Sequence, residues 1–399
     1  MKLVVTCQPA VGHFHAVAPL ARAAVDAGHE VVVATGRGMG HWVTRAGFAV
    51  REVGPAWLAD GPRAGAFDDP RRRLRLMSLA TGSMVAGLVD LFRELRPDVV
   101  LHESLEWAAP LAADAAGVPY AALGQLPRLP RPVLAEVMAE PWNAARRRLG
   151  VPADPGLARL YPYLYLDAYL PSWQPLTANP LSWFDGPAEP DVAHLVQPPL
   201  YQVGDEVPAW LDALPDRPLV YVTMGTAFNQ VGPLFATVAE ALRDEDVSVV
   251  LTVGSGVDPA PLAAIGPNIH AAPYIPQEAV LSRCAAVVQH AGYLTTVGAL
   301  RHGLPMVAIP VAVDQPYHAH RLAAAGAAVR LDHRTLDPGQ VRAAVRAVLD
   351  EPLYRANAER LRREMLAMPP AGHGVTLLER LAATGRPVYD GADELAAVR

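Results

Sequence analysis

Short apolar runs, each followed by a turn and then a helical pattern, occur in two separate series along this chain. The first opens with LVVT at residues 3–6, a loop at 7–15, a helical stretch at 16–27 stopped by Gly28, and a strand at 30–35, which is a βαβ unit. A helix-then-strand passage at 39–53 turns at Gly47, and a further strand at 98–102 leads into a helix ending at Gly117. From 125 to 218 the pattern gives way to proline- and aromatic-rich sequence, part of it linker. A second series starts with LVYVT at 219–223 and continues through a helix near Phe235 to a strand at 247–253 and another at 285–288. Alternation of this kind predicts α/β architecture with parallel sheets. The expected organisation is two doubly wound, Rossmann-like domains facing across a cleft, with ligands beyond the carboxyl ends of their strands.

The chemistry is most legible between His290 and Gln315, HAGYLTTVGALRHGLPMVAIPVAVDQ. A strand ends in a polar turn at Gly292, and a helix runs from 294 to 302 with Gly303 as its stop. The first N–H groups of such a helix have no partner within it and carry partial positive charge, so they hold an anion. Thr295 and Thr296 add hydroxyl donors, and a diphosphate fits there.

Other totals remove competing functions. Lys2 is the only lysine, which excludes a Walker-type phosphate loop and Schiff-base chemistry on an internal lysine. The net charge is −6 and no long arginine cluster occurs, which argues against a nucleic-acid surface. Cys7 and Cys284 lie far apart in apolar segments and suggest neither a disulfide framework nor a zinc site. No apolar run reaches the about 20 residues that span a bilayer, and the start is unlike a signal peptide, so a cytoplasmic protein is expected. The loop after the first strand has only Gly12, so a dinucleotide fingerprint is missing. His13-x-His15 lacks further ligands at zinc spacing, and Asp244-Glu245-Asp246 reads as a solvated bend; no metal and no cofactor are expected.

The segment from His290 to Gln315 resembles the donor-binding signature of family 1 glycosyltransferases of the GT-B fold, especially bacterial enzymes of the macrolide and enediyne type that decorate antibiotics. The resemblance implies that His290, Gly292, Leu294, Thr295 and Thr296 hold a nucleoside diphosphate and that Asp314 and Gln315 bind sugar hydroxyls. It places Tyr274 and Ile275 along the base, Gln277 on the ribose, and Gly225 and Thr226 beside the phosphates. Ala291, Tyr293 and Leu294 depart from the family's smaller residues, and His318 stands where the family usually has Asn. The implied domains are an acceptor-binding domain at 1–200, a linker at 201–218, a nucleotide-sugar domain at 219–375, and a C-terminal helix and tail at 376–399 that packs back on the first domain.

An imidazole in a strand-to-helix loop suits removal of a hydroxyl proton near neutral pH, and the resemblance puts the base at His13. Glu103 falls where the family carries the acid that orients that ring. The expectation is an inverting, metal-independent transfer of a sugar, a deoxysugar from dTDP in preference to UDP, to a small hydrophobic acceptor. Phe14, Trp57, Trp107 and His318 are candidate acceptor contacts. No nucleic-acid partner is expected, and the chain would act as a monomer or homodimer. A sugar-nucleotide epimerase and a non-catalytic auxiliary partner are the alternatives.

Overall fold

The computed structural model describes residues 1–56, 82–126, 131–173, 192–201, 207–225, 232–254, 256–312 and 314–389. Two compact units are present, one formed by Met1–Tyr201 with Met368–Arg399 and the other by Gln202–Ala367.

The first unit contains β1 (Lys2–Thr6), β2 (Glu30–Thr35), β3 (Ala49–Glu52), β4 (Val99–Glu103), β5 (Tyr120–Gly124), β6 (Leu164–Asp167) and β7 (Ala193–Leu195), in the order β3-β2-β1-β4-β5-β6-β7. The second contains β8 (Leu219–Thr223), β9 (Ser248–Thr252), β10 (Ile269–Ala272), β11 (Ala286–Gln289), β12 (Met306–Ala308) and β13 (Ala328–Arg330), in the order β10-β9-β8-β11-β12-β13. All pairings are parallel, as expected of strands whose apolar runs are buried on both faces. The strand order reverses between β1 and β4 in one sheet and between β8 and β11 in the other. Ligands of open α/β sheets bind outside the carboxyl ends of strands at these switch points.

Period-two alternation sorts the first sheet's side chains. Leu3, Val5, Leu101 and Leu123 pack under the helices Val11–Asp26 and Ala371–Thr384, with Phe14, Val17, Leu378 and Leu381 from those helices. Val4, Val32 and Val100 face the other way, against Leu88 and Phe92 of Val85–Leu95 and Leu111 of Ala108–Ala116. In the second unit, Val220, Val222, Val249 and Leu251 pack against Phe235 and Val238 of Gly232–Leu242 and Val341 and Val345 of Pro338–Asp350.

Three features differ from the sequence expectation. The first helix begins at Val11 rather than after residue 15, so the loop following β1 is four residues long and His13 lies in the first helical turn. The proline-rich stretch holds the 19-residue helix Arg131–Leu149, with Pro132 in its first turn and Pro141 inside it, and both β6 and β7. The second unit is Gln202–Ala367, so the described residues 207–218 belong to it and residues 368–375 to the first unit.

Candidate active site

The short loop after β1 and the end of β4 bring His13 and Glu103 together at the first sheet's switch point. His13 Nδ1 donates to Glu103 Oε1 at 2.7 Å; the imidazole is 28% exposed and the carboxylate 2%. Glu103 Oε2 also accepts from the Leu105 N–H at 3.0 Å, and Oε1 makes a long contact of 3.4 Å with the Gln8 N–H. Burial pushes this carboxyl up, but the His13 ring and those N–H groups outweigh it and hold it below the ordinary carboxylate range. The geometry is an anionic acceptor fixing one nitrogen of a partly exposed imidazole, which leaves Nε2 as the atom that can take a proton.

A second buried carboxylate, Glu106, stands behind this pair. The Thr6 hydroxyl donates to its Oε2 at 2.6 Å, and the Ala108 N–H to its Oε1 at 2.7 Å, with Ala109 N–H within 3.2 Å. Burial raises its pKa to about 7 although these donors favour the ion. Sequence reading missed Glu106; its signal was an acid between a strand and a helix, the usual place for a cap.

In the second unit, Gly225 follows β8 and the turn 290–292 follows β11, again at the switch point. Gly225 has φ +74°, and a Cβ there would lie 2.6 Å from His290 Nε2; one on Gly292 would also overlap that ring. The two glycines therefore flank the imidazole, which is buried and pushed by burial to about 4, so it is neutral at pH 7. Among the described residues, His290 Nδ1 is buried with no hydrogen-bond partner. Helix Tyr293–Arg301 makes its first intrahelical bond from Thr296 N–H to Gly292 O at 2.9 Å, so the Leu294 and Thr295 amides precede the helical ladder.

The remaining predicted residues fall into groups. Gln277 Nε2 donates to Thr295 Oγ1 at 3.3 Å, which joins two of the expected donor residues. Thr296 is fully buried, and its hydroxyl accepts from Gln289 Nε2 at 2.9 Å. Tyr274 is 43% exposed while Ile275 is buried. Gln315 Oε1 accepts from the N–H groups of Val311 and Ala312 at 2.8 and 2.9 Å, so a sugar contact from this side chain would come from Nε2. Asp314 Oδ2 lies 3.3 Å from His318 Nδ1.

Three of the residues expected as acceptor contacts are buried. Phe14 is fully buried against Phe48 and Tyr201. Trp107 is buried with its indole N–H donating to Ser104 O at 2.9 Å. His318 is fully buried with Nδ1 on Ala291 O at 3.1 Å, beside the turn 290–292. Trp57 and Thr226 lie outside the described residues. In the 244–246 bend, Asp244 and Asp246 are exposed, but Glu245 is mostly covered and pairs with Arg342 and Arg346.

Two parallel Rossmann-like sheets, each with its switch point, are the architecture of GT-B glycosyltransferases. Solved structures share the fold along nearly the whole chain. The glycosyltransferase VinC in complex with dTDP aligns at TM-score 0.79 and 26% identity, covering 96% of this chain and 100% of that one. SnogD from Streptomyces nogalater aligns at 0.76 and 28%, covering 96% and 99%. Family models described as the N-terminal and C-terminal domains of erythromycin biosynthesis protein CIII-like proteins match residues 72–153 and 236–381. The L-demethylnoviosyl transferase of Streptomyces niveus is 32% identical, with 97% of this chain and 99% of that protein covered. The 4'-demethylrebeccamycin synthase of Lentzea aerocolonigenes is 29% identical, with 95% and 99% covered. The chain belongs to this erythromycin CIII-like family of antibiotic glycosyltransferases.

Proposed function

We propose that this enzyme transfers a sugar with inversion from a nucleoside diphosphate, dTDP in preference to UDP, to a hydroxyl of a hydrophobic natural product. The observation that carries the reading is His13 held through Nδ1 by the buried Glu103 carboxylate at a switch point. As the acceptor oxygen attacks the anomeric carbon, His13 Nε2 takes its proton and the bond from that carbon to the diphosphate breaks. Glu103 steadies the imidazolium that forms. Charge develops on the departing diphosphate, where the Leu294 and Thr295 amides, the Thr295 hydroxyl and His290 Nδ1, which has no partner among the described residues, suit an anion. VinC was crystallised with dTDP and SsfS6 with thymidine diphosphate, which supports thymine as the base. The relative from Saccharopolyspora erythraea, a 3-alpha-mycarosylerythronolide B desosaminyl transferase 28% identical to this chain, supports a deoxysugar and a macrolide-like acceptor.

Replacing His13 with Ala is expected to lower turnover by about 10²–10⁴-fold while dTDP affinity, measured by calorimetry, survives. Full activity in that variant overturns the base. Protein charge stabilisation in place of a metal predicts turnover unaffected by EDTA; a loss that added Mg²⁺ restores overturns metal independence.

A further inference from the structure

Ala291 is the residue at which the strand becomes the phosphate turn, and it has φ +64°. An alanine in this left-handed region is disfavoured by its Cβ, so something must hold it there. Both polar groups of its backbone are held by side chains. The Ala291 N–H donates to Gln289 Oε1 at 3.0 Å, and His318 Nδ1 donates to Ala291 O at 3.1 Å.

Each clamp residue is itself fixed. Gln289 sits fully buried at the end of β11, and with its oxygen on Ala291 its Nε2 donates to Thr296 Oγ1 at 2.9 Å and approaches Met306 Sδ at 3.3 Å. The Thr296 oxygen is thereby an acceptor in this contact. His318 Nδ1 faces two acceptors, Ala291 O and Asp314 Oδ2, so that nitrogen carries the proton. Gln289 thus ties the strand to the helix, and His318 ties the helix Gln315–Ala324 to the turn between them.

We infer that Gln289 and His318 are positioning residues which lock Ala291 in its left-handed conformation and so aim the start of the helix Tyr293–Arg301 at the donor diphosphate. The inference rests on the nucleotide-sugar reading above. A glycine at 291 would occupy the same conformation at no steric cost, which makes the clamp partly dispensable.

Calorimetric titration of dTDP into the full chain tests this as a cycle. Gln289→Leu and His318→Leu are each expected to weaken binding about tenfold in the Ala291 background, the loss of one buried hydrogen bond. In the Ala291→Gly background the same changes are expected to cost about twofold or less. Equal losses in both backgrounds, or no loss in either, overturn the inference. Should His318→Leu not unfold cooperatively, His318→Asn and His318→Asp decide: Asn can present an N–H to Ala291 O and keeps affinity, whereas Asp cannot. Equal affinities for those two overturn the role of His318. Failure of the unaltered chain to bind either dTDP or UDP removes the nucleotide-sugar reading and this inference with it, an outcome distinct from a flat cycle.

Discussion

At the scale of single residues, the two ends of the His13–Glu103 hydrogen bond make different demands. Glu103→Gln keeps a hydrogen-bond acceptor but removes the charge that steadies the imidazolium, so turnover is expected to fall roughly 10–100-fold with little change in dTDP affinity. Unchanged turnover would show that orientation alone suffices. Gly225→Ala combines a strained φ with a Cβ 2.6 Å from the His290 ring, so it should displace that ring and weaken dTDP binding; retained affinity would exclude the contact as a determinant. The His13–Glu103 contact and the strand-turn-helix at His290 were legible because resemblance singled those residues out of a strand-loop-helix pattern; their chemical roles belong to the proposal. Gln289 and Glu106 were not, because a polar residue at a strand's end has many uses until its partners are known. The burial of Phe14 and Trp107, expected as acceptor contacts, was hidden for the converse reason: an aromatic reads alike whether it lines a pocket or fills a core.

At the scale of elements, legibility followed periodicity. Strands buried on both faces, β1, β4, β8 and β11, read clearly as apolar runs. The helix Arg131–Leu149 did not, since two prolines within it mimic a loop and only packing against its neighbours overrides that signal. The start of Val11–Asp26 was misplaced because Pro9 and Gly12 suggest a loop and Ala10 offers no side-chain cap. The helix Ala108–Ala116 depends on Glu106 in a testable way. Glu106→Ala leaves the Thr6 hydroxyl and two helix-start amides buried without their acceptor, at a cost of roughly 3 kcal/mol. Thermal unfolding is expected to drop by about 5–10 °C, and much less for Glu106→Gln, which retains an acceptor oxygen.

At the scale of the molecule, buried titratable groups set the response to pH. Burial lowers His102 and His290 to about 4, so both are neutral when folded but protonate below about 6.5 when unfolded. Their stabilisation is complete above pH 6.5 and is lost as pH falls towards 4, on the order of 3 kcal/mol for each. Glu106, raised to about 7, acts in the opposite sense: its stabilisation is complete below about 4.5 and fades as pH rises through 7. Between pH 6.5 and 4.5 the two histidines outweigh the one carboxyl, so the melting temperature should fall on acidification. Glu106→Gln should steepen that fall, and melting curves that superimpose at pH 6.5 and 5 would contradict the balance.

The first unit's core is completed by Val375, Leu377, Leu378 and Leu381, which are read by the ribosome more than 170 residues after Tyr201, whereas Gln202–Ala367 is a continuous stretch. During synthesis the second unit can therefore finish folding while the first still exposes the face that awaits its last helix. An early stop after Ala367 would leave an aggregation-prone first half attached to an intact second one, the reverse of the usual order in which amino-terminal domains mature first.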